Sequence, residues 1–251
     1  NGFRAELFDK IVGLNGHAVV QGVGGRLPDW RDIVAEARAT PGVTSAVPLI
    51  EQPLAATFDG RAEAVLVRGM RVSDIRTNSS IRSKVLMGSL NSITAGSNRI
   101  AIGSRLAEAL GAQVGSQISL FSPQGQTTPF GTVPRIISYT VGAIFEIGVY
   151  DYDKSYIVMP IEDAQTLLLM GDAAGMVEIQ TVDPDRVGEI LRPLADKIGG
   201  TAVIQDWRTM NAQLFEALAV ERVAMFTVLS IIILVAVFNI LSSLIMLVRA
   251  K

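Results

Sequence analysis

The chain of 251 residues has no cysteine and a single histidine. That excludes disulfides, thiolate metal sites and thiol nucleophiles. The lone His17 has no second histidine or cysteine to share a ligand set, so it reads as a structural or surface residue and no metal site is expected. No G-x-x-x-x-G-K-[ST] sequence occurs, which excludes ATP binding through a P-loop. Gly22-Val23-Gly24-Gly25 lacks the spacing of a dinucleotide fingerprint and reads as a turn. Net charge is only −2 and the basic residues are dispersed, so there is no electrostatic footprint for nucleic acid. Glu146, Asp151 and Asp153 lie close together without the order of a calcium loop and read as a solvated acidic turn. No acid, base and nucleophile converge anywhere in the sequence. The chain is therefore expected to be no enzyme and to carry no cofactor.

A different absence is more informative. From Val223 to Val248 there is no charge, proline or glycine. About 20 helical residues cross a hydrocarbon core about 30 Å thick, so this run is long enough to be a transmembrane helix. Arg249 and Lys251 follow it, which places the C-terminal end in the cytoplasm and residues before about Glu221 on the other side. A domain of that size outside the membrane must be exported. Residues 1–14, with an apolar stripe of Phe3, Leu7, Phe8 and Ile11, are expected to be the foot of an earlier membrane helix.

The part before the span is expected to be α+β. Strand signals at Ala18 to Val23 and Val43 to Leu49 flank a helix over Trp30 to Ala39. Leu54 to Phe58 and Ala62 to Gly69 flank Asp59-Gly60, a hairpin signal. Late in the chain Met176 to Thr181, a helix opened by Asp183-Pro184 and strand Ala202 to Gln205 repeat the order. Two β-α-β units imply a split ferredoxin-like sandwich of residues 15–70 and 156–206. Between them, residues 71–155 are expected to form an inserted, mostly β subdomain. Its helix Ser104 to Leu110 is closed by Gly111, and strands are expected at Ile118 to Phe121 and Ile136 to Phe145. Trp207 to Val248 contains no helix breaker, so a stalk over 207–222 continuing into the membrane helix 223–248 would be a rod about 60 Å long. A break near Glu221 is the alternative.

Two features suit binding. Residues 122–135 hold three prolines and two glycines between two strands, a stiffened projecting loop. Phe130 in Pro129-Phe130-Gly131 is either a preorganised anchor at its tip or a ring folded back onto the β subdomain. Asn239 inside the span, with Ser242 and Ser243 one turn on, suits a face packed against other membrane helices.

Asn1-Gly2-Phe3, Leu14-Asn15-Gly16-His17, Leu106 to Gly111 with Val114-Gly115, Thr128 to Pro134, and Phe238-Asn239-Ile240 with Ser242 give the chain a resemblance to a known family. It resembles the lipoprotein-releasing permeases LolC, LolE and LolF, within the wider MacB and FtsX-like permeases. The resemblance covers essentially the whole chain. It implies a MacB-like periplasmic domain in a multi-pass protein of the cell inner membrane, in an ABC transporter that releases outer-membrane lipoproteins. It implies a LolD-like ATPase partner, a LolA-like periplasmic chaperone, and a second permease copy or LolC/LolE-type partner. It also implies that Thr128, Pro129, Phe130, Gly131, Thr132, Val133, Pro134 and Arg135 form a chaperone-binding hook. The family's polar, partly basic contact beside the hook is matched here by Arg135 but then by Ile136 and Ile137. A MacB- or FtsX-like mechanotransmission permease, for efflux or cell-wall hydrolase activation, is the alternative.

Overall fold

The computed structural model describes residues 16–128, 131–200, 202–210 and 212–249. The expected foot of a membrane helix at 1–14 lies outside them. The chain divides into two compact units, one ending at Asp206 and one beginning at Trp207.

In chain order the first unit opens with β1 (Ala18–Gly22) and α1 (Trp30–Ala39), whose Trp30, Ile33, Val34 and Ala37 recur at helical spacing and are buried. β2 (Val43–Phe58) and β3 (Arg61–Met70) turn through Asp59 and Gly60, both at positive φ (48° and 76°), as a two-residue hairpin requires. The two strand signals before this turn merge into the one strand β2. Its neighbour on one side is β9 (Met176–Thr181) as far as Leu49 and β6 (Gln117–Thr128) from Ala55. Pro53 falls in the interval, where its missing N–H removes no ladder bond on that side.

Two short helices, α2 (Val72–Thr77) and α3 (Ser79–Arg82), lead to β4 (Val85–Gly88). β5 (Arg99–Gly103) runs straight into α4 (Ser104–Leu110), which Gly111 closes in the left-handed conformation at φ 72°. β6 and β7 (Gly131–Phe145) form a long hairpin. α5 (Tyr150–Ser155), β8 (Tyr156–Pro160) and α6 (Ile161–Leu167) follow. After β9, Asp183 accepts from the backbone of Asp185 to start a helical stretch that breaks into α7 (Val187–Ile190) and α8 (Arg192–Ile198), with Pro193 in the first turn of α8. β10 (Ala202–Asp206) ends the unit.

The spatial order β10-β1-β9-β2 is antiparallel throughout, the ferredoxin-like arrangement expected of two interleaved β-α-β units. The sheet continues through β3, β8, β5 and β7 to β4, and β6 joins β7 back to β2. Strands β2, β3, β8, β5, β7 and β6 therefore make a closed ring of pairings. The hairpin of β2 and β3, grouped on sequence with the sandwich, contributes two staves of that ring.

The sheet has two unlike faces. On one, α6 sits directly on β3, because a Cβ at Gly69 would lie 2.5 Å from the Cβ of Ala164. On the other, Leu49, Met70, Ile75, Leu90, Phe145 and Tyr156 form a core cluster under α2. Beside that cluster Arg68 is 7% exposed between two carboxylates, 3.1 Å from Glu51 and 3.0 Å from Glu178. Its guanidinium also lies 5.3 Å from the centre of the Tyr156 ring.

The second unit consists of α9 (Trp207–Met210) and α10 (Ala212–Arg249). α10 is unbroken through Glu221, and its 38 residues at about 1.5 Å each make it about 57 Å long. Val223–Leu241, with mean hydropathy 2.7, is long and apolar enough to cross a membrane.

Candidate functional site: a two-stranded ribbon leaving the sheet

The expected loop at 122–135 is mostly strand. β6 and β7 pair regularly from Gln117↔Thr140 to Ser122↔Arg135, and again from Gln126↔Val133 to Thr128↔Gly131. Between those stretches β6 advances from 122 to 126 while β7 goes back only from 135 to 133. The surplus makes a bulge at Pro123-Gln124-Gly125, facing Pro134. Both prolines thus occupy positions without regular pairing, the places where a strand tolerates them. β6 pairs with β2 only from Thr57↔Ser119 to Ala55↔Phe121. Beyond Ser122, the described pairings of the ribbon are with itself alone. Prolines at its root rather than along a loop redirect the ribbon, and ladder bonds stiffen its arms.

Of the residues expected to form the hook, Pro129 and Phe130 lie outside the described residues. Thr128, Gly131, Thr132 and Val133 are placed as backbone in paired strands. Pro134 is exposed. Arg135, the match to the family's basic contact beside the hook, is half-buried, and its Nε is buried without a hydrogen-bond partner. It points to the inner side of β7 with Tyr139, whose hydroxyl burial pushes up to about 12. Asp163 adds to that rise and Arg135 opposes it.

On the outer side, Phe121 and Ile136 are cross-strand partners, 37% and 61% exposed. Ser119 and Ser138 form the next outward pair, with hydroxyls 3.0 Å apart. The Phe121–Ile136 pair was not singled out on sequence. Its signal is there in retrospect, since Phe121 and Pro123 share one parity of β6 and Pro134 and Ile136 share the matching parity of β7.

Other candidate positions resolve into structure. Nδ1 of His17 accepts from the backbone N–H of Thr181 at 3.0 Å, while the Thr181 hydroxyl donates to the Asp183 carbonyl. Burial lowers the pKa of His17, and the nearby charges of Asp183 and Glu178 oppose that fall. In the acidic turn Glu146 and Asp151 are exposed, as a solvated turn would have them, but Asp153 is not. Asp153 is 1% exposed and accepts from the backbone N–H groups of Ile147 at 2.6 Å and Gly148 at 2.9 Å. Its oxygens hold a loop. Among the described residues no three metal-ligating side chains cluster.

In α10, Thr227 and Ser230 return their hydroxyls to carbonyls four residues back. Asn239 is exposed on the same helix. The side chains of Ser242 and Ser243 lie outside the described residues.

Residues 1–196 match the family model described as the MacB-like periplasmic core domain. Over its full length the chain is 34% identical to the lipoprotein-releasing system transmembrane protein LolC of Xylella fastidiosa (strain 9a5c) and 31% identical to that of Neisseria meningitidis serogroup B. It covers 60% and 61% of those relatives. Identity to LolE of Haemophilus influenzae is 24%, again over the whole chain and 61% of the relative. Among solved structures, the extracellular domain of the noncanonical ABC-type transporter YknZ aligns with TM-score 0.51 at 13% identity, over 76% of this chain and 100% of that one. The periplasmic region of MacB from Actinobacillus actinomycetemcomitans aligns with TM-score 0.50 at 10% identity, over 83% and 97%. At such identities these two establish the fold alone.

Proposed function

Since this chain belongs to the MacB-like periplasmic core domain family and is similar to LolC over its full length, we propose that it is part of an inner-membrane ABC transporter permease. In this reading the permease releases outer-membrane lipoproteins and hands them to a periplasmic chaperone of the LolA kind. The chain spans about 60% of the length of its LolC relatives, so this activity is that of a longer protein. ATP is hydrolysed by a separate LolD-like subunit in this reading, and these 251 residues contain no P-loop of their own. A second permease, either another copy or a LolE-type partner, completes the membrane part. Asn239 faces it, since an amide in hydrocarbon needs a hydrogen-bonding partner on another helix.

The observation that carries the reading is the ribbon of β6 and β7 beyond Ser122. Arms that are already paired with one another beyond Ser122 need no ordering when a partner binds, which keeps the cost of binding low. Phe130 at that tip enters an apolar cavity of the chaperone. Fully burying a phenylalanine contributes about 1.5–3 kcal/mol. Phe130→Ala should therefore weaken chaperone binding roughly ten- to a hundredfold. The test is calorimetric titration of the full chain in nanodiscs with the chaperone, alongside thermal melts. Unchanged affinity sinks the reading, and a large fall in melting temperature makes Phe130 a core residue instead. A MacB- or FtsX-like mechanical permease shares the fold and the long helix but has no use for a chaperone-binding tip, so the same titration separates the two.

A further inference from the structure

The strand β4 ends the sheet. It pairs with β7 on one side and, among the described residues, with no strand on the other. Exposed edges are ordinarily blunted by lysine, proline or an inward-facing charge. Val85-Leu86-Met87-Gly88 has none of these, and Leu86 and Met87 are 58% and 54% exposed. Its protections are its shortness and the bulge between Val85 and Met87, which together limit any added strand to a few residues.

The two faces flanking this edge differ in chemistry. Val85 pairs with Phe145 and packs on the core cluster that contains Leu90. On that face Val85, Gly88 and Ser89 line a cleft of about 260 Å³ together with Arg76 and Arg82. The nearest acid in sequence, Asp74, is already paired with Arg71 at 2.6 Å. No carboxylate pairs with Arg76 or Arg82 among the described residues, and Arg76 makes only a 3.5 Å contact to the carbonyl of Asn91. Met87 pairs with Ile144, whose side chain points to the opposite face because it precedes Phe145 in β7. There Leu86, Met87, Ala107 and Ile144, with Glu108 and Gln113 beside them, line a groove of about 430 Å³ against α4.

We propose that β4 is a docking edge for a short extended segment of a partner polypeptide whose side chains alternate acidic and apolar. A strand added to an edge sends successive side chains to opposite faces. One parity would carry carboxylates to Arg76 and Arg82, where planar guanidinium groups suit them. The other would carry apolar side chains into the groove of Leu86, Met87 and Ile144. Backbone pairing with β4 supplies the orientation. The site uses only the end of β7 at Ile144 and Phe145, away from the ribbon beyond Ser122, so it stands or falls independently of the chaperone reading.

The test uses the full chain in nanodiscs and a fluorescent octapeptide, TVEVEVET. Controls are the same residues in block order, TVVVEEET, and the cationic TVKVKVKT. Anisotropy should show the alternating acidic peptide binding at least about tenfold more tightly than either control, since only it matches both faces. Reversing charge with Arg76→Glu and Arg82→Glu together should weaken it at least about fivefold. Hydrogen exchange at Leu86 to Gly88 should slow when peptide is added. Equal binding of the block peptide would overturn the proposal, because it would reduce the site to a sticky surface. Competition by phosphatidylglycerol vesicles would overturn it in favour of a membrane contact. Protection of β4 without peptide, rising with protein concentration, would overturn it in favour of self-association. Melts of the charge-reversed variant should match the parent, as both arginines are exposed.

Discussion

Replacing Arg68 by methionine should destabilise the first unit severely and in a pH-dependent way. Arg68 lies within 3.1 Å of Glu51 and 3.0 Å of Glu178, whose side chains are 29% and 15% exposed. Methionine has a comparable stem, so the apolar packing of the side chain survives and the loss is one of charge. Removing one partner from a buried ionic cluster costs about 3–5 kcal/mol, because the remaining charge is left uncompensated. Total stabilities of about 5–15 kcal/mol make that a large fraction. At about 2–4 °C per kcal/mol for a unit of this size, the melting temperature should fall by about 6–20 °C.

The pH dependence follows from Glu51, whose pKa burial raises, against a lowering by Arg68 and a further rise from Glu178. A carboxyl with a raised folded pKa contributes stability that is full below its unfolded value and is lost as pH rises through the folded value. Without Arg68 the lowering influence disappears and the folded value moves higher still. The penalty in Arg68→Met should therefore be larger at pH 8 than at pH 5. Adding Glu51→Gln should recover part of the loss at pH 8, since it removes one of the carboxylates left without a cation. Thermal melts of the full chain in nanodiscs at both pH values read this directly. A shift within about 2 °C that does not vary with pH would refute the account of the triad as a strongly coupled buried cluster.

Three further outcomes are expected. Gly103→Ala should lower stability and loosen α5, because a Cβ there would lie 2.2 Å from the carbonyl oxygen of Asp153, a backbone atom that cannot swing aside; hydrogen exchange in 147–155 checks this. Leu218→Pro, placed within the unbroken α10, bends or breaks the helix at about 3 kcal/mol or more; in the intact transporter it should leave ATP hydrolysis running while lipoprotein release fails, and normal release would refute α10 as a transmission rod. Because the chain has no cysteine, single substitutions Thr127→Cys and Lys251→Cys report topology cleanly; an impermeant reagent on whole cells with a permeabilised outer membrane should label the first and spare the second, and the reverse pattern would overturn the orientation.

Local chemistry carried much of the architecture into the sequence. The helix over Trp30 to Ala39, the turn at Asp59-Gly60, the closure of α4 by Gly111 and the break at Pro193 all depend on residues within a few positions of one another. The uncharged run before Arg249 likewise needs no partner to be recognised, because its length and apolar character suffice. What depends on distant partners was not legible. That Leu54 to Phe58 continues β2 follows from its exchange of β9 for β6, a neighbour more than sixty positions away in numbering. The prolines of 122–135 announced a loop, because proline removes a ladder donor. Only the two-residue surplus on β6 shows that Pro123 and Pro134 sit at a bulge and leave the arms paired. Nothing in the sequence marks Arg68 or Asp153 as buried, since burial is decided by what packs over a side chain and not by its own kind. The two chemistries flanking β4 belong to segments that meet only when the sheet ends there, bringing α2 and α3 to one face and α4 to the other.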